Sequence, residues 1–146
     1  MFLRILSTII LFVFSTKAYA EGIKTIRCTF DKEGIAASWD DGKNFDSERA
    51  KFSTNPADMV LTFDQINNIT GRARLIGNNG SEEVIYLDTD GWHSFLEVTA
   101  TGNPILTSVF KTALKDGKYP AVTSRHVSVV MPIVSQYYGS CVDQSY

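Results

Sequence analysis

Four dipeptides that accept a left-handed backbone, Asn79-Gly80, Asp90-Gly91, Gly102-Asn103 and Asp116-Gly117, recur at intervals of 11, 12 and 14 residues. A fifth, Asp41-Gly42, lies further upstream. Asn, Asp and Gly reach positive φ at little steric cost, which is what tight hairpin turns require. The segments between them are rich in Val, Ile, Thr, Tyr and Phe. This is the spacing of successive antiparallel hairpins. Parallel pairing would need a crossover of a dozen or more residues at each step, and the intervals leave no room for one.

The spacing predicts strands over Ile23 to Phe30, Met59 to Gln65, Ile69 to Ile76, Glu82 to Asp88, Trp92 to Thr99, Ile105 to Leu114 and Ala121 to Met131. A last extended piece, Ile133 to Tyr138, leads to Cys141, and Pro132, which has no N–H to donate, marks a kink or an edge. Gly34 to Trp39 is expected to return from the first strand through the charged turn Asp31-Lys32-Glu33. The polar stretch Asp40 to Ala57 is the least regular, with a short helical turn around Ser47 to Phe52 ended by Pro56. No long amphipathic helix and no repeat is legible.

Alternation assigns faces. Gly71, Ala73 and Leu75 fall on one side of their strand and Arg72 and Arg74 on the other. Leu106, Phe110 and Leu114 share a face broken by Ser108 and Thr112, as in a roomy or partly wet barrel interior, or in a sheet with two half-solvated faces. About eight strands joined mostly by hairpins must hide their edges. An all-β antiparallel meander closed like a barrel does so fully, and a two-sheet sandwich, the alternative, does so in part.

Cys28 and Cys141 are the two cysteines of the chain. A bridge between them ties the first strand to the last and favours closure, since closing the ring sets those strands side by side. In the chain-entropy picture a loop of that length is worth on the order of 4–5 kcal/mol. The other readings are two free thiols or bridges between molecules; no CxxC motif points to redox catalysis. Gly139 is expected to supply a turn that aims Cys141 at Cys28.

Residues 1–20 read as a cleaved signal peptide: Arg4, an apolar run from Ile5 to Phe14, then small residues at Ala18 and Ala20. This run of ten residues, interrupted by Ser7 and Thr8, reaches only about half-way across a ~30 Å hydrocarbon core, so no integral membrane segment is expected after cleavage. Residues 21–146 then form a single β domain in an oxidising compartment. Removing Arg4 and Lys17 from the 14 basic side chains leaves 12 against 16 acidic ones, a net charge of −4. With Arg72 and Arg74 the densest basic pair, nucleic-acid binding, which draws its affinity from phosphate neutralisation, is not expected.

Ser124-Arg125-His126 invites a catalytic reading, but on a strand Ser124 and His126 stand about 6.5–7 Å apart, beyond hydrogen-bond reach, and no GxSxG elbow is present. Arg125, on the opposite face, is placed to pair with an acid such as Glu97 or to meet an anionic ligand. His93 and His126 lie two strands apart and lack zinc-site spacing, so no metal or other cofactor is expected. Trp92, Tyr137 and Tyr138, with Arg125, His126 and His93, are the candidate ligand or partner contacts, as amphipathic and polar groups near strand ends.

Phe95 to Asn103, Ser124-Arg125-His126 and Ser135-Gln136-Tyr137-Tyr138-Gly139-Ser140-Cys141, together with Ala73 to Asn78, resemble a group of small exported bacterial proteins, mainly proteobacterial. The resemblance covers roughly the C-terminal half of the mature chain. It implies a periplasmic one-domain β protein and carries over no catalytic residue. Together these observations favour a non-enzymatic binding or interaction module of the periplasm or the secreted fraction. It would hold a small ligand in a barrel or meet an envelope protein through residues 40–57. A small envelope enzyme using His126 or His93 and a structural envelope protein are the rival expectations.

Overall fold

The computed structural model describes residues 22–39, 50–78, 80–112, 114, 116–128 and 132–145. The proposed leader, the Asp41-Gly42 turn and Asn79 lie outside them. The described residues form one antiparallel sheet: β1 (Ile26–Phe30), β2 (Gly34–Trp39), β3 (Ala50–Asn55), β4 (Met59–Asn67), β5 (Arg72–Gly77), β6 (Gly80–Asp88), β7 (Trp92–Val98), β8 (Pro104–Phe110), β9 (Tyr119–Ser128) and β10 (Pro132–Asp143). Its order is β1-β4-β5-β6-β7-β8-β9-β10-β2-β3, and β1 also pairs with β10. That extra pairing closes an eight-strand barrel. From β4 to β10 every neighbour in the sheet is a neighbour in sequence, the meander that the turn spacing predicts.

The N-terminal part departs from expectation. β2 does not fold back on β1; it pairs with β10, from Ile133↔Ser38 to Gln136↔Ile35, while β1 pairs further along the same edge, from Thr29↔Ser140 to Ile26↔Asp143. β1 and β2 are therefore two halves of one strand. β3 and β4 match them, because paired residues keep a constant sum of numbers from Ile26↔Phe63 through Phe30↔Met59 and Gly34↔Asn55 to Trp39↔Ala50. Residues 26–39 and 50–67 are the arms of one long hairpin. Its ladder lapses at Asp31-Lys32-Glu33, opposite Pro56, which has no N–H to give. Ala50 to Phe52, expected in a helical turn, is strand, and residues 40–49 lie outside the described set.

Along β10 the two halves are out of step. Between Thr29↔Ser140 and Ile35↔Gln136, five residues (30–34) stand against three (137–139), a bulge of two residues. Glycines sit on both sides of it. A Cβ on Gly34 would stand 2.7 Å from the Gln136 carbonyl oxygen and 2.8 Å from Tyr137 Cε1, and one on Gly139 would stand 2.8 Å from Phe30 Cα. Gly139 is thus inside β10, where two backbones nearly touch, and does not make a turn.

The closed section is packed solid. Ile26, Cys28 and Phe30 from β1 meet Phe63, Ala73, Leu75, Val84, Tyr86, Phe95, Val109, Ala121 and Cys141. Phe63 and Phe95 stack with centroids 3.9 Å apart, and Tyr86 tilts against Phe95 at 5.2 Å. Each fully buried aliphatic or aromatic side chain of this kind is worth about 1.5–3 kcal/mol over leaving it in water. The Cys28–Cys141 disulfide lies within this core, bridging directly paired residues of β1 and β10. A bridge of this kind points to an oxidising, non-cytoplasmic location.

Two face assignments can be compared with the structure. Ala73 and Leu75 are buried with Arg72 and Arg74 outside, as alternation predicts. The face of β8 is the reverse of the expected one: Ile105, Thr107 and Val109 point in, while Leu106 is 41% and Phe110 39% exposed; the strand ends at Phe110, and Leu114, 46% exposed, lies beyond it in the turn to β9. In the core, Thr107 donates to the hydroxyl of Thr123 at 2.9 Å, so the inward hydroxyls satisfy each other.

Candidate functional site: the open mouth of the barrel

An eight-strand barrel is just wide enough to be filled by side chains or to hold one small ligand. Here one end is filled and the other is not. The β5–β6 hairpin stops at Gly77↔Gly80, whereas β9 and β10 continue past that level beside β2 and β3. The short hairpin leaves a notch in the wall. Behind it lies a cavity of about 440 Å³ lined by Met59, Leu61, Leu75 and Ile105 together with Glu82, Glu97 and Arg125, and by Gly77, Asn78 and Gly80 of the short hairpin. The size falls within the range of small-molecule sites.

The register explains which side chains arrive there. Glu97 pairs with Ile105, and Ile105 with Arg125, so the three stand in one inward-facing row. Glu97 and Arg125 are two strand steps apart, about 10 Å between backbones, with the apolar Ile105 between them. Glu82 shares the inward face of β6 with Val84 and Tyr86, two residues nearer the open end. Burial pushes the Glu97 carboxyl above its ordinary range; the Arg125 charge partly offsets this and the Glu82 charge adds to it. The mouth therefore sets apolar side chains beside two carboxylates and one guanidinium, with Leu75 paired to Glu82 and Ile105 to both Glu97 and Arg125.

The far end is closed by a polar network. His93 is only 7% exposed, with Nδ1 2.7 Å from the Tyr86 hydroxyl and 3.1 Å from Asp88 Oδ1, and Lys111 Nζ reaches the same carboxylate at 2.7 Å. With its proton on Nε2, His93 accepts the Tyr86 hydrogen on Nδ1; with the proton on Nδ1 it donates to Asp88. Burial depresses the imidazole, and the Asp88 charge acts against that. Burial also raises the Tyr86 phenol, so it stays protonated at neutral pH. The network positions a proton but holds no strong nucleophile. The backbone of the terminal segments seals this end: Gln144 N–H donates to the Thr25 carbonyl, and Lys24 N–H donates to Ser145 Oγ at 2.6 Å.

Of the side chains singled out from the sequence, Arg125 lines the mouth and Tyr137 is partly buried beneath it, packed against the core with its ring over Gly34. His93 is at the opposite end. His126 and Tyr138 lie on the outer face, the latter donating to Gln136 Oε1 at 3.1 Å, and Trp92 is half exposed. The six do not form one site, and the two histidines face opposite sides of the wall. Glu82 and the apolar lining were missed. Period-two reading of Glu82, Val84 and Tyr86 would have put the carboxylate inside.

No helix among the described residues is long and apolar enough to cross a membrane. No protein-family model, curated protein or solved structure matches the chain.

Proposed function

We propose that this protein is a non-enzymatic binding module of the bacterial periplasm, or of the secreted fraction, that holds a small amphiphilic molecule in the mouth of its barrel. The observation that carries the proposal is the cavity of about 440 Å³, lined by apolar and charged side chains set side by side, at the end of the barrel that side chains leave unfilled. The leader ending in Ala18-Tyr19-Ala20 and the buried disulfide support the compartment.

Native mass spectrometry of the protein isolated gently from its own source, with a denaturing spectrum as control, tests the reading. The expected result is a mass excess that survives native but not denaturing conditions. A bare mass, with no uptake of added amphiphiles, would count against it. The denaturing spectrum also reports cleavage after Ala20.

A protein partner is the second reading, and one observation favours it. β3 ends the sheet order, so one of its edges is unpaired among the described residues, and Phe52 on it is 81% exposed. Such an edge can accept an added strand. A complex that co-purifies intact and is lost on exchanging Phe52 for Ser would move the assignment there.

A further inference from the structure

We infer that the outer face of β6, β7 and β8 is the self-interface of a two-fold dimer, its occupant a second copy of this chain. Residues paired across an antiparallel sheet share a face, so register lays this surface out in rows. Ile85 pairs with Leu96, and Leu96 with Leu106, which makes a ridge across three strands. Two residues nearer the far end, Leu87 pairs with Ser94 and Ser94 with Ser108, a row that drops to a trough at the two serines. Trp92 opposite Phe110 bounds the trough with a second ridge. Ile85, Leu87, Trp92, Leu106 and Phe110 are between 39% and 56% exposed, whereas Ser94 is buried among its taller neighbours. No side chain of the three rows on these strands is charged.

Five such side chains leave on the order of 400 Å² of apolar area in water, toward the upper end for a lone monomer. Val98 and Pro104, themselves a pair, continue the face toward the mouth, so that it approaches the ~800 Å² each partner of a standard interface covers. The relief is also complementary to itself. A two-fold axis lying along the rows, midway between the Leu96 ridge and the serine trough, turns each ridge over the trough of the other copy. It also brings Trp92 and Phe110 over Val98 and Pro104. This is the isologous contact of a two-fold dimer, with two sheets packed face to face about 10 Å apart. A lipid surface fits less well, because interfacial binding draws on Lys and Arg beside the apolar face. The cations at this rim are already paired, Arg72 with Glu83 at 3.0 Å and Lys111 with Asp88 at 2.7 Å.

Sedimentation velocity of the disulfide-intact mature protein over about 1–100 μM tests the inference. The expected result is a species of twice the monomer mass that dissociates on dilution with a Kd on the order of micromolar. Added salt should not weaken it, because the buried face carries no charge. Leu106→Lys sets a charge on the ridge and is expected to raise the Kd roughly hundredfold. Leu87→Lys repeats the test from β6, and circular dichroism reports that each variant is folded. Phe52→Ser, four strands from β8 along the sheet, should leave the dimer unchanged. A monomer at every concentration overturns the inference, as does a dimer that both Lys variants leave intact. Loss of the dimer in Phe52→Ser but not in Leu106→Lys overturns it in favour of pairing through the β3 edge. Cosedimentation of a monomer with phosphatidylethanolamine and phosphatidylglycerol vesicles, abolished by Leu106→Lys, overturns it in favour of a lipid surface.

Discussion

Gly139 and Phe30 meet with no space between their backbones. A Cβ on Gly139 would stand 2.8 Å from Phe30 Cα and would run into the Thr29 carbonyl oxygen. The contact marks the point where β1 and β2 fall out of step along β10, just beyond the disulfide. Gly139→Ala must push two paired strands apart within a closed ring, so it is expected to destabilise by about 1–3 kcal/mol, read as a lower urea midpoint. Gly91→Ala, where nothing lies within 4 Å, is the control and should stay within about 0.5 kcal/mol. Equal effects at the two positions would mean that the strands do not approach as described.

The bridge between Cys28 and Cys141 spans 113 positions of sequence and closes the barrel at its seam. Replacing both residues with Ala should lower stability by about 2–5 kcal/mol, and a reductant should lower the wild-type midpoint but leave the double variant unmoved. Both cysteines are fully buried, so part of any loss in the variant is packing, and the reductant comparison separates the two. A reductant effect of the same size on both proteins would contradict an intramolecular bridge.

Thr107 and Thr123 are buried and bonded to each other. Thr107→Val leaves the Thr123 hydroxyl without its partner in an apolar interior, at a cost of about 1–3 kcal/mol. The double variant Thr107→Val, Thr123→Val removes both polar groups and keeps the shape, so it should recover most of that loss. Chemical denaturation of the four members of the cycle measures the coupling. Additive losses would show that the two hydroxyls do not depend on one another.

His93 should make the fold sensitive to mild acid. Burial holds its folded pKa below the ordinary 6.5, although Asp88 and Asp143 pull it up and Lys111 pushes it down. The unfolded chain then takes up the proton first. The contribution is complete above the unfolded value, shrinks as pH falls below about 6.5, and stops changing below the folded pKa. His93→Gln keeps an acceptor for the Tyr86 hydroxyl but cannot titrate. Melting temperatures between pH 7.5 and 5 should fall less steeply in the variant than in the wild type. Parallel profiles would remove His93 as the source.

Much of the wall was legible because its signals are local. Gly102-Asn103 and Asp116-Gly117 each specify a reversal through the φ that their own residues accept, with Gly102 and Gly117 at φ 81° and 77°, whereas the chain reverses at Asp90-Gly91 without a positive φ. The cysteine pair, with one intramolecular partner each, fixed which strands meet at the seam. Ala73 and Leu75 against Arg72 and Arg74 assigned their faces because charge and apolarity separate cleanly there.

Tertiary structure alone decided the rest. Asp31-Lys32-Glu33 encodes a break in the ladder but not the direction of the chain beyond it. β2 runs on because β10 is long enough to pair with both β1 and β2, a fact stored more than ninety residues away. The face of β8 that carries Leu106 and Phe110 turned out to be the outer one. Successive strands of a sheet share a row only through register, and register set Ile105 between Glu97 and Arg125 on the inside. The cavity arises the same way, from a hairpin that ends at Gly77 and Gly80 beside strands that do not. Turns and alternation are properties of neighbouring residues, so the chain states them outright, whereas the inside of a barrel exists only once strands far apart in sequence have been counted against one another.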